Sequence, residues 1–294
     1  MQICANGIGL EVEDHGSPSG EPLLLIMGLG MQLVAWHDDF VASLVKRGFR
    51  VIRFDNRDIG LSQRFDHLGV PNLPLEMLKY AVGLRVKSPY SLPDMAADVA
   101  GILDALGIQR AHVCGASMGG MIAQQLALRH AKRLKSLTLM MTSSGSRKLP
   151  QATFKVRGAL ISRPKDPRSI EGIVAHSVSL YKLLGSPAYP ASDEYLHARL
   201  NLSVRRAYRP QGVARQLVAI AADGDRSRLL GGIKLPTQVL HGQQDPLVPV
   251  AAGHDLAAKI PGAQLDVIEG MGHDLPVALW PRFAAGISSA AGRA

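Results

Sequence analysis

Apolar runs of strand length alternate with helical patterns up to Thr142 and again from Leu235. Candidate strands cover Leu23–Met27, Arg50–Asp55, Ala111–Gly115, Leu134–Met141, Thr237–Gly242 and Gln264–Glu269, and Gln2–Val12 predicts an edge hairpin. Between them, helical patterns cover Asp38–Arg47, Leu92–Leu106, Ser117–His130, Ala251–Ile260 and Val277–Ser289. The second of these helices has Ser91 as an N-cap, Pro93 in its first turn and Gly107 just past its end. Strand–helix alternation of this kind predicts an α/β protein with a mostly parallel central sheet flanked by helices.

The alternation stops at Ser143. Until Gly232 no strand pattern occurs, and helical stretches near Gln151–Ser162, Ser169–Leu184, Asp193–Arg206 and Gln211–Ala222 are punctuated by RPKDPRS, GSPAYPAS and YRPQG. Such a pattern predicts one core domain, residues 1–142 and 233–294, carrying a helical cap of residues 143–232. The cap also holds the charge. The chain has a net charge of +9, and residues 143–232 contain 15 Lys and Arg against 6 Asp and Glu, so the rest is balanced. The cations are scattered and no aromatics interleave with them, which points to a solvated helical surface and away from nucleic acid. Attraction of an anionic substrate or acidic partner is the alternative.

At 294 residues, 47% apolar and 19% charged, the chain has enough length and apolar content for a substantial core. No window approaches the roughly 18 apolar residues of a membrane span. The start, MQICANGIGLEVEDHG, lacks a basic and an apolar leader region, which points to the cytoplasm. Cys4 and Cys114 form no ligand spacing or disulfide framework, and no histidine pair has ligand spacing near carboxylates, so neither a metal nor a cofactor is expected.

One short stretch changes the picture. Gly115-Ala116-Ser117-Met118-Gly119 fits G-x-S-x-G, the sharp strand-to-helix turn that aims a serine hydroxyl outward. Alone the motif is weak, since chance supplies it in about one chain of this size in six. Here an apolar strand precedes it and a good helix follows. A serine hydroxyl needs a base to take its proton and an acid to orient that base, and on such an elbow they follow in the order acid, histidine. Asp245 in HGQQDPLVP and His273 in GMGHDLP each lie just past a strand end, where open α/β sheets build their sites. Asp274 is a rival acid, but its adjacency to His273 makes the imidazole hard to reach. His241 and His112 are read as core residues. Two backbone donors are needed for a developing oxyanion: Met118, directly after the serine, and Leu29 in MGLGMQ after the first core strand.

Together MGLG, FDNRDIGLS (Phe54–Ser62), GASMGG, HGQQD and GMGH resemble the α/β-hydrolase family, and the cap is similar to that of aclacinomycin methylesterase-type carboxylesterases. FDNRDIGLS has Asp58 where the family usually has Gly, and the resemblance makes Asp55 and Arg57 structural. It implies an α/β-hydrolase fold and a serine carboxylesterase acting on small, partly apolar esters, with Ser117, Asp245 and His273 catalytic; the scattered charge and the lack of an apolar span separately predict no nucleic-acid or membrane partner. The same motifs occur in lactonases, carbon–carbon hydrolases, cofactor-free haloperoxidases and aminopeptidases, and a ligand receptor on a hydrolase scaffold is a further alternative. Acyl and alcohol preference and oligomeric state stay open.

Overall fold

In the third strand, Leu24 and Ile26 face one layer of the molecule, and Leu23 and Leu25 face the other. A strand apolar on both faces must be covered on both faces, as in the interior of a parallel sheet. The computed structural model, which describes residues 1–294, has eight strands: β1 (Gln2–Ala5), β2 (Ile8–His15), β3 (Glu21–Ile26), β4 (Phe49–Phe54), β5 (Ala111–Ala116), β6 (Leu134–Met140), β7 (Thr237–Gly242) and β8 (Gln264–Ile268). They form one sheet in the order β1-β2-β4-β3-β5-β6-β7-β8, parallel from β4 through β8, with the β1–β2 hairpin antiparallel at the edge. β2 runs on to His15, beyond the expected Val12, because its second half pairs with β4.

Ten helices complete the chain: α1 (Asp38–Val45), α2 (Leu73–Ala81), α3 (Leu92–Ala105), α4 (Met118–Arg129), α5 (Phe154–Ile161), α6 (Ile170–Leu184), α7 (Asp193–Arg206), α8 (Pro210–Asp223), α9 (Ala251–Lys259) and α10 (Trp280–Ala291). α3, α4 and α9 cover one face of the sheet, α1 and α10 the other. This is the α/β-hydrolase fold. Chain order reverses between β3 and β5, and in open α/β sheets ligands bind beyond the strand carboxyl ends at such a switch point. α2 has no counterpart in the apolar pattern: its Leu75 and Leu78 are exposed while Glu76 is buried, so no apolar stripe marks it.

Between β6 and β7 the chain is helical. Val174 and Val178 of α6 pack with Leu196 of α7 as a small core of their own. The segment's positive charge is only in part a solvated surface, contrary to the sequence expectation. Arg163, Lys165 and Arg168 are exposed, but Arg206, Arg215 and Arg226 are not. Arg206 Nη1 lies 2.6 Å from Asp55 Oδ2. Arg226 pairs with Asp223 and donates to the Ser143 carbonyl at 2.9 Å. Arg215, fully buried, meets Asp58 through Nε at 2.5 Å and Nη2 at 2.8 Å, and Asp66 at 3.0 Å. Cations that would cost several kcal/mol each to bury alone are thus paired, Arg206 and Arg215 with carboxylates of the core and Arg226 with one inside the insertion.

The Arg215 pair explains the departure at Asp58. Its backbone takes φ 74°, where glycine is the easier residue, and its carboxylate also accepts from Phe65 N and Tyr90 Oη, both at 3.0 Å. Arg57 holds Asp98 of α3 through two 2.6 Å bonds, and Asp55 accepts from Leu33 N and Leu61 N, so all three side chains brace the turn after β4. Asp58→Ala should lower stability in urea by roughly 3–5 kcal/mol, because Arg215 stays buried without its main partner. Exposed Arg163→Ala should shift it by no more than about 0.5 kcal/mol.

Candidate active site

β5 ends at Ala116 and α4 begins at Met118, leaving one residue for the turn. That residue, Ser117, is held at φ 54°, ψ −120°. A Cβ on Gly115 would sit 2.3 Å from the Gly119 carbonyl oxygen, and one on Gly119 would sit 2.1 Å from that of Ile26. Only hydrogen fits at either position. Ser117 N donates to Met140 O at 2.9 Å, and Ser117 O accepts from Thr142 Oγ1 at 2.7 Å, so the end of β6 and the residues just past it fix both sides of the strained residue.

The loops after β7 and β8 bring the other two side chains. His273 Nε2 lies 3.0 Å from Ser117 Oγ, and its Nδ1 lies 2.7 Å from Asp245 Oδ2. A carboxylate only accepts, so Nδ1 carries the proton and Nε2 turns its lone pair to the hydroxyl. Asp245 is 5% exposed, and its other oxygen accepts from Leu247 N at 2.9 Å and Val248 N at 2.7 Å, which fixes its orientation. The structure therefore brings together Ser117, Asp245 and His273. It sends Asp274 elsewhere: its carboxyl accepts from Ser186 Oγ in the insertion, and burial pushes its pKa up. The same hydroxyl accepts from Gly272 N at 2.8 Å, and His273 N donates to Leu184 O at 2.7 Å. The loop bearing His273 is thus tied to the end of α6.

The loop after β3 lies beside the serine, where a Cβ on Gly28 would come 3.1 Å from Ser117 Cβ. Leu29 N–H has no acceptor within the protein. Met118, as the first residue of α4, carries another free N–H at the positive end of a helix. A nucleophile, a base, an acid and two free donors are the parts needed for acyl transfer. No group of three His, Cys, Asp or Glu side chains converges as a metal site, and no helix is long and apolar enough to cross a membrane. Cys114 is buried, which pushes its thiol pKa up and makes the reactive thiolate scarce.

Two residues escaped the sequence reading in part or in full. His241 is a core residue, as expected, but it also touches the acid loop. Its Nε2 lies 2.7 Å from Val248 O and 3.7 Å from Asp245 Oδ2, and the i, i+4 spacing in HGQQD was the available signal. Gln216 of α8 accepts from Gly30 N at 3.0 Å, next to Leu29. Nothing in its sequence surroundings marks it.

The chain belongs to the α/β-hydrolase fold family, whose model matches residues 21–277. It is 29% identical to rhodomycin D methylesterase DnrP of Streptomyces peucetius, over 97% of this chain and 95% of that one. It is 30% identical to a 2-hydroxy-6-oxononadienedioate/2-hydroxy-6-oxononatrienedioate hydrolase of Burkholderia vietnamiensis, over 93% of this chain and 88% of the other. The solved structure of an enol-lactonase from Burkholderia xenovorans superposes with a TM-score of 0.74 at 25% identity, covering 99% of each chain. These relatives are hydrolases.

Burial holds the His241 pKa below its ordinary value near 6.5. Below that pH the unfolded chain takes up a proton that the folded protein refuses, so stability falls as pH drops. His241→Gln can still donate to Val248 O and cannot titrate. Between pH 7 and pH 5, the urea stability of the variant should fall by up to about 2 kcal/mol less than that of the wild type.

Proposed function

We propose that the protein is a serine carboxylesterase working through an acyl-enzyme. Ser117 Oγ attacks the ester carbonyl while His273 Nε2 takes its proton, and Asp245 holds the imidazole and stabilises the imidazolium. The Leu29 and Met118 N–H groups donate to the tetrahedral oxyanion. His273 then gives its proton to the departing alkoxide, and the alcohol leaves. Water, deprotonated by the same histidine, attacks the acyl group. Return of that proton to Ser117 frees the acid product. Residues 143–232 act as the cap, and the substrate, a small and partly apolar ester, binds between the cap and the carboxyl ends of the strands.

The observation that carries this reading is the chain Ser117–His273–Asp245 at 3.0 and 2.7 Å. Ester chemistry in particular is supported by the methylesterase relative, which matches along nearly the whole chain.

A panel of p-nitrophenyl esters of increasing acyl length tests it. The wild type should turn over at least one, and Ser117→Ala should lose about 10³-fold or more in kcat with the fold intact. Turnover of every ester no faster than by Ser117→Ala would overturn the assignment.

A further inference from the structure

The two free donors differ in how they are held. Met118 N–H is part of α4 and inherits the rigidity of the β5–α4 elbow. Leu29 N–H lies in a loop outside any helix or strand. Its own peptide is closed into a turn by Met31 N, which donates to Gly28 O at 3.2 Å, and the orientation of that turn depends on what grips the peptides on either side. On the sheet side, Asn56 Nδ2 donates to Met27 O at 2.9 Å, and Asp55 Oδ1 accepts from Leu33 N at 2.7 Å. On the other side the grip comes from the insertion. Gln216 Oε1 accepts from Gly30 N at 3.0 Å, while Gln216 Nε2 donates to Arg57 O at 3.0 Å.

Gln216 is fully buried, and its two partners fix its orientation. A peptide N–H only donates and a peptide carbonyl only accepts, so one setting of the amide satisfies both and the flipped setting satisfies neither. Gly30 stands at φ 68°, and a Cβ there would come 2.9 Å from Val213 Cγ2, so α8 lies directly against the loop. The helix cannot easily slide, because Arg215, the preceding residue, is held by Asp58. Arg215 thus sets α8, and Gln216 carries that setting to the peptide adjoining Leu29.

We propose that Gln216 is a positioning residue: from the helical insertion it orients the Gly28–Met31 loop so that Leu29 N–H points at the oxygen that becomes negative during acyl transfer. The inference rests on the serine-esterase reading above. Seating of the insertion on the sheet then controls the chemical step as well as the shape of the substrate pocket.

The test compares Gln216→Met, which keeps the volume and removes both hydrogen bonds, with Gln216→Glu, which keeps the acceptor for Gly30 N–H. Steady-state kinetics use the best p-nitrophenyl ester of the panel, and inhibition uses a trifluoromethyl ketone, which forms a tetrahedral adduct with an oxyanion. Misplacing a donor without deleting it should lower kcat about 10- to 100-fold in Gln216→Met, with KM within about threefold. Affinity for the ketone should fall by the same factor as kcat/KM, and Gln216→Glu should keep more of kcat than Gln216→Met. Circular dichroism and Tm verify that the compared proteins are folded. If Gln216→Met does not fold, Gln216→Asn replaces it, since its shorter amide cannot span both partners. A folded Gln216→Met or Gln216→Asn with kcat within twofold of wild type overturns the proposal, as does a rise in KM at unchanged kcat. An active wild type with an unaffected Gln216 variant removes this inference alone, whereas a wild type inert on every ester removes the esterase reading with it.

Discussion

Everything about the site follows from one strained residue. Ser117 occupies φ 54°, ψ −120°, a conformation that costs an L-residue on the order of 1–3 kcal/mol, and the rest of the molecule holds it there. β5 and α4 must join through a single residue, and the packing of α4 against β3 requires hydrogen at Gly119. Hydrogen bonds with Met140 and Thr142 close the alternatives. With the serine pinned, the neighbouring parallel strands determine the rest. The end of β3 delivers a loop with a free N–H, and the ends of β7 and β8 deliver an acid and an imidazole. The reversal of strand order between β3 and β5 lies beside the serine, at the end of the sheet where these loops meet.

The helical insertion is bound into this arrangement at several points. Ser186 and Leu184 hold the loop of His273. Gln216 holds the loop of Leu29, and Arg206 reaches Asp55 beneath it. The buried Arg215–Asp58 pair sets the helix from which Gln216 projects. An insertion attached in this way differs from a freely hinged segment. Because breaking any one tie leaves a buried polar group without its partner, the ties form a set in which each raises the cost of losing the others. On the esterase reading, the insertion that borders the substrate also sets the geometry of one oxyanion donor, the Leu29 N–H.

What the sequence revealed, and what it hid, follows from the range of the interactions. The strands and most helices are local: apolar period, the Ser91 cap and Pro93 all act within one element. Ser117, Asp245 and His273 could be found because each sits on a motif tied to a strand end. α2 was hidden because its Leu75 and Leu78 face solvent, against the usual pattern. The buried cations were hidden for a different reason. Arg206 and Arg215 look in sequence like any surface arginine, and their partners Asp55 and Asp58 lie some 150 residues away. Gln216 had no local signal at all, since its meaning comes only from the Gly30 and Arg57 peptides brought to it by the fold.

The most direct measurement of the central claim, that Ser117 is an activated nucleophile, is the site of covalent capture by a fluorophosphonate. After brief exposure of the folded protein and digestion, mass spectrometry should find a single phosphonylated peptide, with the adduct on Ser117, and His273→Ala should abolish or greatly slow its formation. An adduct on any other residue, or equal labelling when His273 is absent, would contradict the account.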